Sequence, residues 1–149
     1  TNSLLYFSFL ERMLQGKNPQ TLLGKNCIHS FVYTPDIAHA LITLALDDNN
    51  NGEVFHMPVS GPITIEAITD IFSKKLGKTF KPAYLTPFLL KLLSVFIKPL
   101  AEIREMQYQF VQPYDMSWKK LKNRYPHLEA TSYADGISAM VDWFVNKKN

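Results

Sequence analysis

The chain has one cysteine, Cys27, in 149 residues. That excludes a disulfide framework and any zinc or iron–sulfur site built from cysteines. The six glycines stand apart at positions 16, 24, 52, 61, 77 and 136, so they form neither the glycine-rich turn that seats a dinucleotide nor a P-loop. A Gly-x-Ser-x-Gly elbow is missing, as are paired histidines or cysteines at metal-site spacing. None of the seven tyrosines is followed four residues later by a lysine. Charge of one sign is scarce too: 16 Lys and Arg against 13 Asp and Glu leave +3. The lysines are scattered and no arginine-rich stripe marks a nucleic-acid partner. The most apolar run, Leu85 to Ile97, is interrupted by Lys91 and falls short of the ~20 residues that span a bilayer.

What is present suits a packed domain. The sequence is 46% hydrophobic and 13% aromatic, which excludes intrinsic disorder. A chain of this length buries roughly 68–70% of its unfolded surface. It begins Thr1-Asn2-Ser3, with neither an initiator Met nor a signal segment. The expectation is a cytoplasmic protein, with this chain a piece of a longer one.

Apolar spacing predicts a first helix over Ser3–Gln15, stopped by Gly16. Cys27–Tyr33 is β-branched and aromatic, as a strand should be. Thr34 then offers a cap hydroxyl, Pro35 the first helical position and Asp36 a negative charge at the helix start, opening a helix to about Leu46. Asp47–Gly52 is a turn, and Glu53–Met57 reads as a second strand. Thr64 caps a helix with stripe Ile65, Ile68, Phe72 and Leu76, closed by Gly77. Phe80–Leu85 is a third extended segment. Thr86-Pro87 opens a helix through Leu89, Leu90, Leu93, Phe96 and Ile97. The chain restarts at Pro99 with a stripe of Leu100, Ile103, Met106, Gln107 and Phe110. A short helix runs from Asp115-Met116-Ser117 to about Arg124. The last starts at Thr131-Ser132, with Ile137, Met140, Val141 and Phe144 inward.

Strands alternating with helices predict an α/β fragment, mostly helical, with two or three short parallel strands. Parallel strands need neighbours and cover on both faces, so the sheet is expected to be completed by another part of a longer chain.

Four side chains are candidates for a substrate pocket. His29, Phe31 and Tyr33 lie along the first strand and His56 near the end of the second, where open α/β sheets bind ligands. Against this, a strand histidine is commonly a hydrogen-bonded core residue, Tyr33 would simply pack, and Asp36 would serve the helix start. Cys27 has no cation near it in sequence and reads as a small buried hydrophobe. The apolar residues of Leu85–Phe110 nearly encircle their first helix, which favours burial between helices or at a dimer interface over a membrane surface. Lys119–Arg124 reads as a solvated face.

The segment Ser30-Phe31-Val32-Tyr33-Thr34-Pro35-Asp36-Ile37-Ala38-His39-Ala40-Leu41 resembles the extended short-chain dehydrogenase/reductases, the NAD-dependent epimerase/dehydratase family. Its members carry a strand of type F-V-Y-V-x-D-x-A-x-A. Gly52–Pro58 is similar to their G-x-x-Y-N/H strand, and Thr64-Ile65-Glu66 to their T-x-x-E/D helix start. Asp115-Met116-Ser117 with Leu121, then Gly136 to Trp143, resembles the closing D-x-S-K … G-x … W segment. Glu105–Phe110 with Pro113-Tyr114 is similar to plain NAD-dependent epimerases.

The resemblance implies that residues 1–149 form a single C-terminal substrate-binding domain, the incomplete C-terminal part of an NAD(P)-binding Rossmann-type fold. The glycine-rich turn and the Tyr-x-x-x-Lys pair would lie upstream. NAD or NADP would bind the full-length protein, none this chain alone, and no catalytic, cofactor-binding or metal residue is assigned here. The implied partners are its own N-terminal cofactor-binding domain, a small-molecule substrate and a second copy, not nucleic acid or membrane. Nucleotide-sugar members often place an arginine seven residues before the strand-end Asp; here that position is His29. Imidazole is a poorer diphosphate partner than guanidinium, so a smaller or less charged substrate is expected. The alternatives are a stand-alone, non-catalytic ligand-binding or assembly module of the same architecture, or a peripheral membrane protein using Leu85–Phe110.

Overall fold

The computed structural model describes residues 5–22, 24–95, 102, 104–105 and 108–146. They divide between two compact units, one comprising Thr1–Ile28 and Thr64–Tyr114, the other His29–Ile63 and Asp115–Asn149.

In the first unit a π-helical turn, Tyr6–Leu10, leads into α1, Glu11–Leu14. The predicted single α-helix is therefore replaced by a wider turn over its first half, and its start before Leu5 lies outside the described residues. Gly16 ends it at φ 75°, with its N–H on the Met13 carbonyl at 2.9 Å. Strand β1, Gln20–Thr21, pairs in parallel with a strand at Ala83–Tyr84, in register Gln20 to Ala83 and Thr21 to Tyr84. The third predicted segment is thus a strand, shortened to two residues.

Helix α3, Ile65–Leu76, forms as its sequence requires. Thr64 accepts the Ala67 N–H at 3.2 Å, and Gly77 closes the helix at φ 65°, which a side chain would resist. Ile65, Ile68 and Phe72 of its stripe are buried, as are Phe9, Leu10 and Met13 in the same unit. The Phe9 and Phe72 rings lie 6.1 Å apart. Cys27 is buried there, and burial pushes its thiol above the ordinary range. It is the small hydrophobe the sequence suggested. Helix α4, Pro87–Ser94, is opened by the Thr86 hydroxyl on the Leu89 N–H. It buries Leu90 but exposes Phe88, Leu92 and the following Val95. Helix α5 covers Tyr108–Val111. The stripe predicted at Pro99, Leu100, Ile103, Met106 and Gln107 lies outside the described residues.

In the second unit, β2, Ile28–Ser30, pairs with β3, Pro62–Thr64. Helix α2, Thr34–Ala45, has Tyr33 at its cap position with no side-chain cap bond, so the predicted Thr34 cap is displaced by one residue. The Asp36 carboxylate does more than favour the helix start. It accepts the Thr131 N–H at 2.7 Å and hydroxyl at 2.8 Å, tying α2 to the approach of the last helix. Ala40, Leu121 and Leu128 centre this unit's core, with Leu44, Phe55, Met57, Trp118 and Tyr125 around them. Helix α6, Lys119–Arg124, follows, and α7, Tyr133–Asn146, buries Ile137, Val141 and Phe144.

One sequence expectation fails here and a second is extended. Glu53–Met57 is not a strand, because nothing among the described residues pairs with it. The Lys119–Arg124 run is not merely solvated. Lys122 donates to the Pro126 and Leu128 carbonyls at 2.9 and 2.7 Å, Arg124 to the Asn49 carbonyl at 3.2 Å, and Lys120 pairs with Glu53. Among the described residues, the strands form two two-stranded sheets, and Gln20–Thr21 with Ala83–Tyr84 is a parallel pair, as short parallel strands were expected.

Candidate functional site

The candidate site begins where β2 runs into α2. His29 is buried within β2. Phe31 follows, and its main chain is held by the Tyr133 hydroxyl of α7. That hydroxyl accepts the Phe31 N–H at 3.1 Å and lies 3.3 Å from the Phe31 carbonyl. It also donates to the Gly61 carbonyl at the approach to β3. Burial raises the Tyr133 phenol above its ordinary pKa; the Phe31 N–H opposes the shift and the Asp115 charge adds to it. The group therefore stays protonated at neutral pH and acts as a clamp rather than a base.

Tyr33 packs on the same helix. A Cβ at Gly136 would lie 3.2 Å from Tyr33 Cδ2, so glycine there lets the ring approach the α7 backbone. The loop is anchored further by Ser30, whose hydroxyl accepts the Met116 N–H at 3.0 Å and donates to Asp115 at 3.4 Å. His56 is exposed, with Nδ1 3.0 Å from the Ser117 carbonyl. Phe31 and Tyr33 thus share α7 as their support. No hydrogen bond or ring contact links His56 to either among the described residues. A cavity of about 330 Å³ in the same unit is lined by Leu41, Leu44, Asp47, Asn50, Glu53 and Phe55 among others, and by none of the four candidates.

Several organising side chains escaped the sequence reading. Tyr133 reaches Phe31 across 102 residues and Thr131, read only as a helix start, reaches Asp36 across 95; no local spacing marks either contact. Tyr125 donates to Asp47 at 2.6 Å and accepts from Asn50 at 2.6 Å. The bond from Tyr125 first, then those from Asn49, hold the Asp47 carboxyl down at about 2. In the other unit Tyr84 donates to Glu66; burial first, then that bond, pushes the Tyr84 phenol far up.

No family model and no curated protein matches the sequence. Among solved structures, the chain is similar to UDP-glucuronic acid 4-epimerase from Bacillus cereus in complex with NAD. The TM-score is 0.69 at 16% sequence identity over 98% of this chain. The chain spans 40% of that protein's length. At such low identity the likeness is one of fold: these residues adopt the architecture of part of that epimerase.

Among the described residues, none forms the glycine cradle a dinucleotide needs. Such a cradle needs glycines in the turn between a strand and the helix after it, so that backbone N–H groups reach the pyrophosphate. The turn after β2 is Phe31-Val32-Tyr33, and β3 runs directly into α3. Neither contains a glycine. The glycines at positive φ, Gly16, Gly52, Gly61 and Gly77, stand singly at turns and a helix end. No step through the cofactor is assigned to this chain.

Proposed function

We propose that this chain is the C-terminal, substrate-side portion of an NAD(P)-dependent epimerase, dehydratase or reductase of the extended short-chain dehydrogenase/reductase type. The cofactor and the acid–base pair would be held by residues outside it. The observation that carries the reading is the fold likeness, which takes in 98% of this chain and only 40% of an epimerase solved with NAD. The missing glycine cradle fits a division of labour in which this part shapes the substrate pocket.

In this reading His29, Phe31, Tyr33 and His56 line that pocket. The loop from Phe31 to Tyr33 is positioned by Tyr133 and Gly136, a rigid support of the kind a binding surface needs. With His29 where nucleotide-sugar enzymes often carry arginine, the substrate is a carbonyl or hydroxyl compound without a diphosphate. The test is a pair of titrations on the intact polypeptide, UDP against a simple aldehyde or ketone, following nicotinamide absorbance with the carbonyl compound. Turnover of the carbonyl compound with weak UDP binding supports the assignment. Tight UDP binding sinks the substrate preference, and loss of all nicotinamide chemistry sinks the enzyme reading.

A further inference from the structure

The first unit carries ten Lys and Arg against five Asp and Glu, a charge of +5 with no histidine, whereas the second carries six against eight. The chain's positive excess therefore belongs to the unit that holds α4. Half of these cations are gathered at one place. The Asn18 carbonyl accepts the Arg12 Nε–H at 3.0 Å, and the Asn18 side-chain oxygen accepts the Lys81 N–H at 3.1 Å. That brings Arg12, Lys17 and Lys81 together at the entry to the Ala83–Tyr84 strand. The Phe80 N–H donates to the Ser73 hydroxyl at 3.2 Å, which ties the same segment to the end of α3 and adds Lys74 and Lys78. Lys17, Lys74, Lys78 and Lys81 are exposed, and no carboxylate pairs with them among the described residues.

Helix α4 follows that strand and buries Leu90 and Ser94 on one side. Phe88, Leu92 and Val95 recur at i, i+4 and i+7, so they share the opposite side. They are 78%, 51% and 74% exposed, with the exposed Lys91 beside them. The near-continuous apolar run predicts burial here; the face instead stands open, and none of its three apolar side chains can hydrogen-bond.

We propose that this unit docks on an anionic lipid surface, with Phe88, Leu92 and Val95 entering the headgroup boundary and the lysines meeting the lipid charge. Stable attachment takes two signals, and an apolar insertion with a basic patch is one such pair. A second copy would set one basic unit against another, which like-charge repulsion opposes. A nucleic acid would use the lysines but leave the aliphatic Leu92 and Val95 in water. A helix as short as α4 lies on a membrane rather than across it. The inference goes beyond the function proposed above and does not depend on it.

Co-sedimentation of the intact polypeptide tests this, with vesicles of phosphatidylcholine alone and of equal parts phosphatidylcholine and phosphatidylserine. Binding to the mixed vesicles is expected, stronger than to the neutral ones by at least on the order of tenfold and falling as salt is raised. Phe88→Asp places a carboxylate in the first turn of a helix, where the dipole favours it. It is expected to cut vesicle binding by on the order of tenfold while the melting temperature stays unchanged. Reversing charge with Lys78→Glu and Lys81→Glu together is expected to do the same. No binding to the mixed vesicles, or binding that Phe88→Asp leaves intact, overturns the proposal. Binding to single-stranded RNA without binding to vesicles overturns it too, as does a dimer that Phe88→Asp dissolves in a protein that ignores vesicles.

Discussion

The Tyr133 hydroxyl sits among the Phe31 N–H, the Phe31 carbonyl and the Gly61 carbonyl, joining the exit of β2 to the approach of β3. Tyr133→Phe removes that junction and leaves half-buried main-chain groups without their partner. Urea unfolding should show a loss of about 1–3 kcal/mol; a change near zero would mean that water replaces the hydroxyl fully. Asp47 makes a prediction about pH. Its carboxyl is held at about 2, below the ordinary aspartate value of 3.8, chiefly by the Tyr125 hydroxyl and then by Asn49. A depressed folded pKa stabilises above the unfolded value and is lost as pH falls through the folded one. From about pH 5 down to about pH 2 the melting temperature of the wild type should therefore fall more steeply than that of Asp47→Asn. Parallel curves would show that the Tyr125 bond does not form in solution. Neither group was legible in the sequence, because a side chain reaching across 72 or 78 residues leaves no periodic trace.

At the scale of elements, legibility follows how local the determinants are. Helix α3 could be read in full: the Thr64 cap, the stripe and Gly77 lie within fourteen consecutive residues, and each does in the fold what its chemistry suggests. Thr64→Ala should cost about 1 kcal/mol by chemical denaturation; an unchanged midpoint would show that the Ala67 N–H finds another acceptor. The start of α2 was read almost correctly, with the cap moved by one residue because Tyr33 is the last to keep extended dihedrals. Residues 53–57 show where such reading stops. Composition and alternation favour a strand there, but a strand exists only with a partner. The candidate site was legible to the same degree. Phe31 and Tyr33 are candidates by their strand-to-helix position, whereas Tyr133 and Gly136, which contact them, come from a helix a hundred residues on.

At the scale of the molecule, the glycines at positive φ, Gly16, Gly52, Gly61 and Gly77, stand singly along the chain. Among the described residues the strands form two two-stranded sheets, and the fold is similar to 40% of the length of an epimerase; on the proposed function, the chemistry would be shared with residues outside the chain. Among the described residues no helix is long and apolar enough to cross a membrane, and no cluster of metal-ligating side chains occurs.

The most direct test of this account is a calorimetric titration of NAD into the 149-residue chain and, in parallel, into the intact polypeptide. The account predicts no saturable binding to the chain and one-site binding to the intact protein. Saturable binding to the chain alone, or none to the intact protein, would contradict it.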